Sequence, residues 1–455
     1  MLPLAVYTET LSIEQARYHA LQNNANIRAV EELRMSSNDN RKAGFTDFLP
    51  SVQFIGNYLH INDKIKYEMD MGISDILEGM QYYDSQNPYV DLSQDQFFQT
   101  LLGMNEGGLL PDKLELQIGE KDNYLLSLVA TQPVFTGGKL FNQYRIYKSL
   151  SSISESNEKL VSQNVIFGVD NLFCTAIKLR EKADLASEYK TLVTAHVTDL
   201  ESYLEEGLIT ENDLLKAQIA LNEAELLEMK AVNGAKVAVM MLNQVIGYDL
   251  DKTWELETPP LITDTKFNSS VINREEIKIA EQNVAIAKSF KSIAFSRYLP
   301  NIIAYSDLHW TNPNPYNSLE EEFGRSWQIG VTAQMEIFHW NERGFENKSA
   351  QHKQKAAEYM LKDVSEKILV EIKKSKLELQ EAWKRTEITT RSLQQSEENL
   401  RIVHEKFAEG LLKSSDLLDA QILWQKAHSD NIDARSDYNL SYYAYQKALG
   451  NRYYE

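Results

Sequence analysis

One cysteine, Cys174, stands among 455 residues, so no disulfide framework is possible and no N-terminal cysteine offers a lipid anchor. Within a helical tract it reads as a small buried apolar residue. No run of 18 apolar residues exists and 25% of the chain is charged, which argues against helical membrane spans. Basic residues are in deficit: 47 Lys and Arg against 66 Asp and Glu give a net charge of −19, which argues against a nucleic-acid partner. The eight histidines are scattered, and no H-E-x-x-H, Walker loop, dinucleotide fingerprint or nucleophile elbow is present. Neither an enzyme, nor a metal site, nor a cofactor is therefore expected. Leu2 to Val6 is too short for a signal-peptide core, so an N-terminus already processed for export is one expectation.

Proline is missing where it matters most. None lies between Pro133 and Pro259, and none follows Pro315. A proline inside a helix costs about 3 kcal/mol, so two very long helical tracts are permitted. Glycine agrees, with only Gly168 between Lys139 and Glu206 and none from Phe345 to Glu409.

What is present is a repeat. Glu206 to Gln218 (EGLITENDLLKAQ) returns as Glu409 to Gln421 (EGLLKSSDLLDAQ), 203 residues later, with eight of thirteen positions identical. The register holds without a gap from Phe135 and Phe338 to Gly247 and Gly450. A repeat of this size means two copies of one structural unit. Within it, Leu172, Leu179, Ala186, Val193 and Leu200 recur every seven residues. Leu214, Ala217, Leu221, Ala224, Ala231, Ala235, Ala238, Leu242 and Val245 follow three/four spacing, broken at Glu228, and Leu417, Ala420, Ala427, Ala434 and Ala448 sit at matching places. Such spacing predicts coiled-coil seams. The repeated phrase is then a helix–turn–helix, with Gly207 and Gly410 as left-handed C-terminal caps and Thr210 or Asn212, and Ser414 or Ser415, capping the next helix.

Four segments alternate with period two: Ser51–Tyr58, Tyr124–Gln132, Asn301–Trp310 and Trp327–Ile337. Each has about the length that crosses a bilayer as a tilted strand, and aromatics gather near the ends. Four strands cannot close a barrel, and an open edge cannot sit in lipid, so several chains are expected to share one barrel.

The paired Leu49-Pro50 and Leu299-Pro300 strand starts, the Gln132-Pro133-Val134-Phe135-Thr136-Gly137-Gly138 passage and the two G-x-x-x-x-x-D-L-L-x-A-Q turns carry a resemblance to TolC-type outer membrane factors of the outer membrane efflux protein family. The resemblance covers nearly the whole chain. It implies a mixed α and β membrane protein in the outer membrane of a Gram-negative bacterium, with a large periplasmic part. Four transmembrane β-strands per chain would complete a trimeric 12-strand barrel, continuous with a long α-helical coiled-coil barrel. The implied function is a passive exit duct for a tripartite efflux or type I secretion system, gated at its periplasmic tip. The implied partners are two further copies of the chain, a periplasmic adaptor, an inner-membrane pump and outer membrane lipid. The rival reading is a non-transporting coiled-coil structural protein or adhesin of the cell envelope.

On this reading residues 1–247 are the first repeat, 248–271 an equatorial, non-helical linker, and 272–455 the second repeat. The first helix runs from Ser12 to about Gly44 and its counterpart from about Asn273 to Ser296. Residues 61–123 form a long insert, expected as an extracellular, solvated loop. By resemblance, Asp416 and Asp419 match acidic constriction rings and Asp213 a gate-bonding aspartate. Like charges ringed in a pore attract cations and raise one another's pKa; the same aspartates also suit helix N-termini. The family's gate tyrosine and arginine are replaced by Phe407 and Leu412, with Lys413 one residue off, so the gate bonds do not carry over. Contact between Phe407 and Leu412, or Lys413, would hold the closed state instead. Gly207-Leu208 and Gly410-Leu411 match the adaptor-docking tips.

Overall fold

The computed structural model describes residues 9–86, 92–109, 113–118, 120–260, 274–314 and 322–451. In chain order the first half holds β1 (Glu9–Leu11), α1 (Ile13–Asn23), α2 (Ala25–Thr46), β2 (Ser51–His60), β3 (Ile65–Asp70), α3 (Ile73–Gln86), α4 (Gln96–Glu106), β4 (Lys113–Ile118), β5 (Asp122–Phe135), α5 (Lys139–Glu205) and α6 (Glu211–Ile246). The second holds β6 (Trp254–Leu256), α7 (Glu275–Ser296), β7 (Asn301–Asn312), β8 (Gly324–Gln334), α8 (Glu342–Ala408) and α9 (Ser414–Leu449). Two compact units result: Met1–Gly44 with Phe141–Phe295 and Asn341–Glu455, and Phe45–Leu140 with Ser296–Trp340.

The first unit is helical. α5 and α8 each have 67 residues, α6 and α9 each 36. Each boundary of the second pair lies 203 residues after its counterpart, from Lys139 to Glu342 and from Ile246 to Leu449. At 1.5 Å per residue the longer helices extend roughly 100 Å. Their seams are filled as spaced. Ala186, Val193 and Leu200 are buried in α5, Ala217, Ala224, Ala238 and Leu242 in α6, and Leu417, Ala420, Ala427, Ala434 and Ala448 in α9. The break at Glu228 is occupied by an ion pair, 3.0 Å to Lys190 of α5.

The seam departs from strict sevens at one end. Leu172 and Leu179 are only half-buried, and Val169, Phe173, Cys174 and Ile177 carry the core there. This part of α5 meets α1, α6, β6 and α9 at once, so a wider arc is covered than a two-helix seam needs. Full burial of Phe173 contributes about 1.5–3 kcal/mol. Burial also pushes the Cys174 thiol up to about 12, so it stays protonated and inert. α5 contains one 18-residue window of mean hydropathy 1.3, long and apolar enough to cross a membrane. Of that window, 44% is buried inside the chain, where its apolar side chains serve the helix core.

The expected single helix from Ser12 to Gly44 is two helices. Ser12 is the N-cap of α1, its Oγ accepting from the Gln15 N–H (3.2 Å) while the Gln15 side chain accepts from the Ser12 N–H (2.9 Å). Asn24 ends α1 with extended backbone. Its Nδ2 donates to the Val245 carbonyl (2.9 Å) and its Oδ1 accepts from Asn26 N–H (2.9 Å), so one side chain both ties α1 to α6 and caps α2. The counterpart helix, α7, begins at Glu275, and Asn273 lies outside the described residues. Of the linker 248–271, the described part to Pro260 is free of helix, and β6 pairs in parallel with β1 (Glu9↔Trp254, Leu11↔Leu256). Residues 261–271 lie outside the described residues.

The second unit holds a four-stranded sheet in the order β2-β5-β7-β8, every pair antiparallel. Its rows show why the strands are registered so. Phe54, Leu128, Leu308 and Trp327 line up on one face, and Gln53, Val129, Asp307 and Gln328 on the other. A slip of one residue would exchange the faces. On the polar face, His309 Nδ1 lies 3.1 Å from Asp307 Oδ2, and Gln328 Nε2 donates to the same oxygen at 3.2 Å. Gly330 sits opposite Tyr305, where a Cβ would come within 2.6 Å of the ring.

The last strand runs Gly324–Gln334, not Trp327–Ile337. Its partner β7 starts at Asn301, paired with Gln334, directly after Pro300, and beyond that point no neighbour among the described residues continues the ladder. β5 extends past Gln132 to Phe135 with an irregularity at Pro133, which has no N–H to give. The insert 61–123 is not a bare loop. β3 and β4 form an antiparallel ladder, and α3 and α4 bury Leu77 and Phe98. Residues 87–91, 110–112 and 119 of the insert, and 315–321 of the β7–β8 connection, lie outside the described residues.

Candidate functional site

The two helix–helix turns carry the sequence-predicted site residues and close in the same way. At the first, Leu208 N–H donates to the Tyr203 carbonyl (2.8 Å) and Gly207 N–H to Leu204 (3.0 Å). At the second, Leu411 N–H donates to Lys406 (2.9 Å) and Gly410 N–H to Phe407 (2.9 Å). This two-bond cap needs a left-handed residue, and Gly207 and Gly410 have φ of 74° and 71°. Leu208 and Leu411 project outward, 67% and 68% exposed. A leucine held in water by a stiff turn offers a partner apolar surface at small entropic cost.

Past each turn the next helix is capped by its own third residue. Thr210 is the N-cap of α6, and Asp213 Oδ2 accepts from its hydroxyl (2.7 Å) and its N–H (3.3 Å). Asn212 is inside the helix. The N-cap of α9 is Lys413, whose N–H donates to Asp416 Oδ2 (3.0 Å). This corrects the expectation of Ser414 or Ser415 as cap: both lie inside the helix, and the Ser414 hydroxyl is 2.9 Å from His196 Nε2. Asp213 and Asp416 thus both hold a helix start. Within the chain the hydrogen bonds from Thr210, then the charges of Lys216 and Lys413, hold the Asp213 carboxyl below the usual carboxylate range.

Asp419 makes a different impression. It is exposed on α9, beyond the cap. Phe407 is half-buried and packs edge-on to His196 (5.2 Å) and against Tyr203 (6.2 Å), beside Val197, Leu200, Ala217 and Leu418. Its ring belongs to the contact between the two hairpins. Leu412 is half-buried in the turn, and Lys413 is exposed. The first turn's aspartate and the second turn's lysine do feel each other, since Lys413 lowers the Asp213 pKa.

Two functional groups escaped the sequence reading. His196, 2% exposed, joins α5 to the second turn, and its neighbours Val193, Val197 and Leu200 at seam spacing were the available signal. Asp170, wholly buried, pairs at 2.7 Å with Arg17 of α1, which also lies over the Tyr443 ring at 5.0 Å. Nothing in the local pattern announces a pair 153 residues apart.

Comparison with known proteins bears on the whole arrangement. The model of the family "Outer membrane efflux protein" matches residues 268–451. No curated protein matches the chain in sequence. Among solved structures, the CmeC outer membrane channel of Campylobacter jejuni is similar with TM-score 0.75 at 15% identity, over 96% of this chain and 85% of that one. The outer membrane protein VceC of Vibrio cholerae gives TM-score 0.76 at 14% identity, over 96% of both chains. The MtrE outer membrane channel of Neisseria gonorrhoeae, in its open state, gives 0.70 at 15% identity, over 96% of this chain and 89% of that one. Residues 268–451 thus match the outer membrane efflux protein family, and the chain as a whole has the fold of these solved outer membrane channels.

Proposed function

We propose that three copies of the chain assemble into one exit duct for a tripartite efflux or type I secretion system, passive and gated at the helix turns. The observation that carries this reading is the sheet. β2 and β8 are its two edges, and nothing pairs with the outer side of either among the described residues. Its apolar face is bare: Phe54, Trp327 and Ile329 are 67%, 68% and 73% exposed. An open edge is costly in lipid, and a bare apolar face is costly in water. With alternating strand directions, β8 of one copy meets β2 of the next antiparallel, and three copies make a closed 12-strand barrel. Phe54, Leu128, Leu308 and Trp327 then face lipid, and Asp307, His309 and Gln328 face the lumen.

The helices support the same reading. α6 exposes Leu215, Ile219, Leu226 and Met229, and α8 exposes Tyr359, Met360, Val370 and Leu377. These are the flanking helices of the two hairpins, and each would cover the other on a neighbouring copy. The two repeats, residues 1–247 and 272–455 joined by the linker, would then alternate around the tube. The insert 61–123 would stand outside the cell, at the far end of β2 and β5.

At the turns, Asp213 and Asp416 have a structural task as caps, so Asp419 is the residue best placed for an acidic constriction. Gly207-Leu208 and Gly410-Leu411 would receive a periplasmic adaptor, which links the duct to an inner-membrane pump. Phe407, Leu412 and Lys413 stand where the gate would be, with Phe407 acting from within the hairpin contact. The test is the particle mass in detergent with single-channel recording in bilayers. A mass of three chains with a conducting pore is expected; a stable monomer that leaves bilayers untouched would refute the duct.

A further inference from the structure

We propose that His196 is a positioning residue for the second turn: it latches the start of α9 to α5, and uptake of a proton opens that latch, so that acid frees the α8–α9 turn from the first hairpin. The proposal rests on the reading of the turns as the entrance to the duct.

One imidazole touches both sides of the second turn. Its Nε2 is 2.9 Å from the Ser414 hydroxyl at the first residue of α9. Its ring lies edge-on to Phe407, in the last turn of α8, at 5.2 Å. The six-residue stretch between these two points contains Gly410 and the exposed Leu411. The turn is therefore gripped from the first hairpin at both of its roots. The grip is not part of the repeat: 203 residues on, the place of His196 is taken by Asn399, and the place matching Ser414 in the first copy is Glu211.

The grip suits only a neutral ring. His196 is 2% exposed, and its Nδ1 is buried with no hydrogen-bond partner among the described residues. A proton placed there finds no acceptor, and a buried, unpaired cation is costly. The new charge would also face the N-terminus of α9, the positive end of the helix dipole. The surrounding groups do not compensate. Asp199 on α5 attracts a proton and His404 on α8 repels it, while α9 presents the uncharged Ser414 and α6 closes the neighbouring seam with Ala217. Burial outweighs Asp199, so the proton affinity of the latched ring falls below that of a free histidine.

The sign follows. Once released into water the ring regains the ordinary value of about 6.5. The latch is therefore complete above that pH and is lost as pH falls below it. A duct that meets an acidified periplasm would loosen one turn per copy, and only the second turn.

The experiment uses the full chain in detergent, spin-labelled at exposed Ser202 and Ser415 and diluted with unlabelled chain. Distance distributions are recorded above and below pH ~6.5, with conductance measured on the same protein. The expected result is a several-fold rise in a longer-distance population on acidification, abolished by His196→Gln and kept by His404→Gln. Ser414→Ala should start the release at higher pH, since one of the two contacts is gone. No acid-induced separation in the unmodified chain, or one that survives His196→Gln, would overturn the proposal. A His196-dependent separation with unchanged conductance would uphold the latch and refute the entrance reading.

Discussion

The α5–α6 and α8–α9 hairpins have the same lengths, the same caps and the same turn, yet they differ in what they bury. Seventeen residues of α5 are buried against seven of α8. In the shorter helices the order reverses, with sixteen in α9 and six in α6. The inner pair is thus α5 with α9, one helix from each copy, joined through clusters such as Leu185, Tyr189, Val193, Trp424 and Ile432. α6 and α8 flank it with apolar side chains still in water. A repeat fixes lengths and caps, because these depend on local residues. It does not fix neighbours, because each copy stands on a different side of the other.

The comparison can be broken most forcefully in the core. Phe173→Ala in α5 should cost about 3–5 kcal/mol in denaturant unfolding, while Lys353→Ala on an exposed face of α8 should stay within about 0.5 kcal/mol. Equal losses would mean that α8 is no less central than α5. The flanking helices are probed next. Val370→Glu on α8 should reduce the particle mass in detergent to that of a single chain with helix content retained, because a charge would be buried between copies.

A third comparison concerns the turns. Gly207→Val and Gly410→Val should each cost about 1–2 kcal/mol, since both residues are left-handed and neither turn crowds a new Cβ. Export measured in cells should fail for either variant while the protein still folds; a change confined to folding would make the glycines structural only. The smallest effect lies at the caps. Asp213→Asn and Asp416→Asn should both speed hydrogen exchange of the first turn of their helix. For Asp213 the depressed carboxyl adds stability above the ordinary carboxylate value that is lost as pH falls through the lowered one. In Asp213→Asn that acid dependence of α6 exchange should vanish.

How far the sequence could be read varied with the range of the cause. The long helices were legible because proline and glycine are absent from Lys139 to Glu206 and from Phe345 to Glu409, and the helical seams because alanine recurs at three/four spacing. The Asn24 break was not legible, since its cause is a carbonyl at Val245, 221 residues away. The end of β8 at Gln334 was hidden too: Met335, Glu336 and Ile337 continue the alternation, but the partner strand has already stopped.

The residues alone determined the period of each helix, the position of the turns, the left-handed glycines and the two faces of the sheet, since each follows from backbone preference and side-chain spacing within a few residues. Tertiary structure alone decided that α5 lies beside α9, that Ser414 meets His196 rather than capping its own helix, and that Phe407 is drawn into the contact between hairpins. Those outcomes depend on groups some two hundred residues apart competing for the same space, and no local pattern encodes which of them wins.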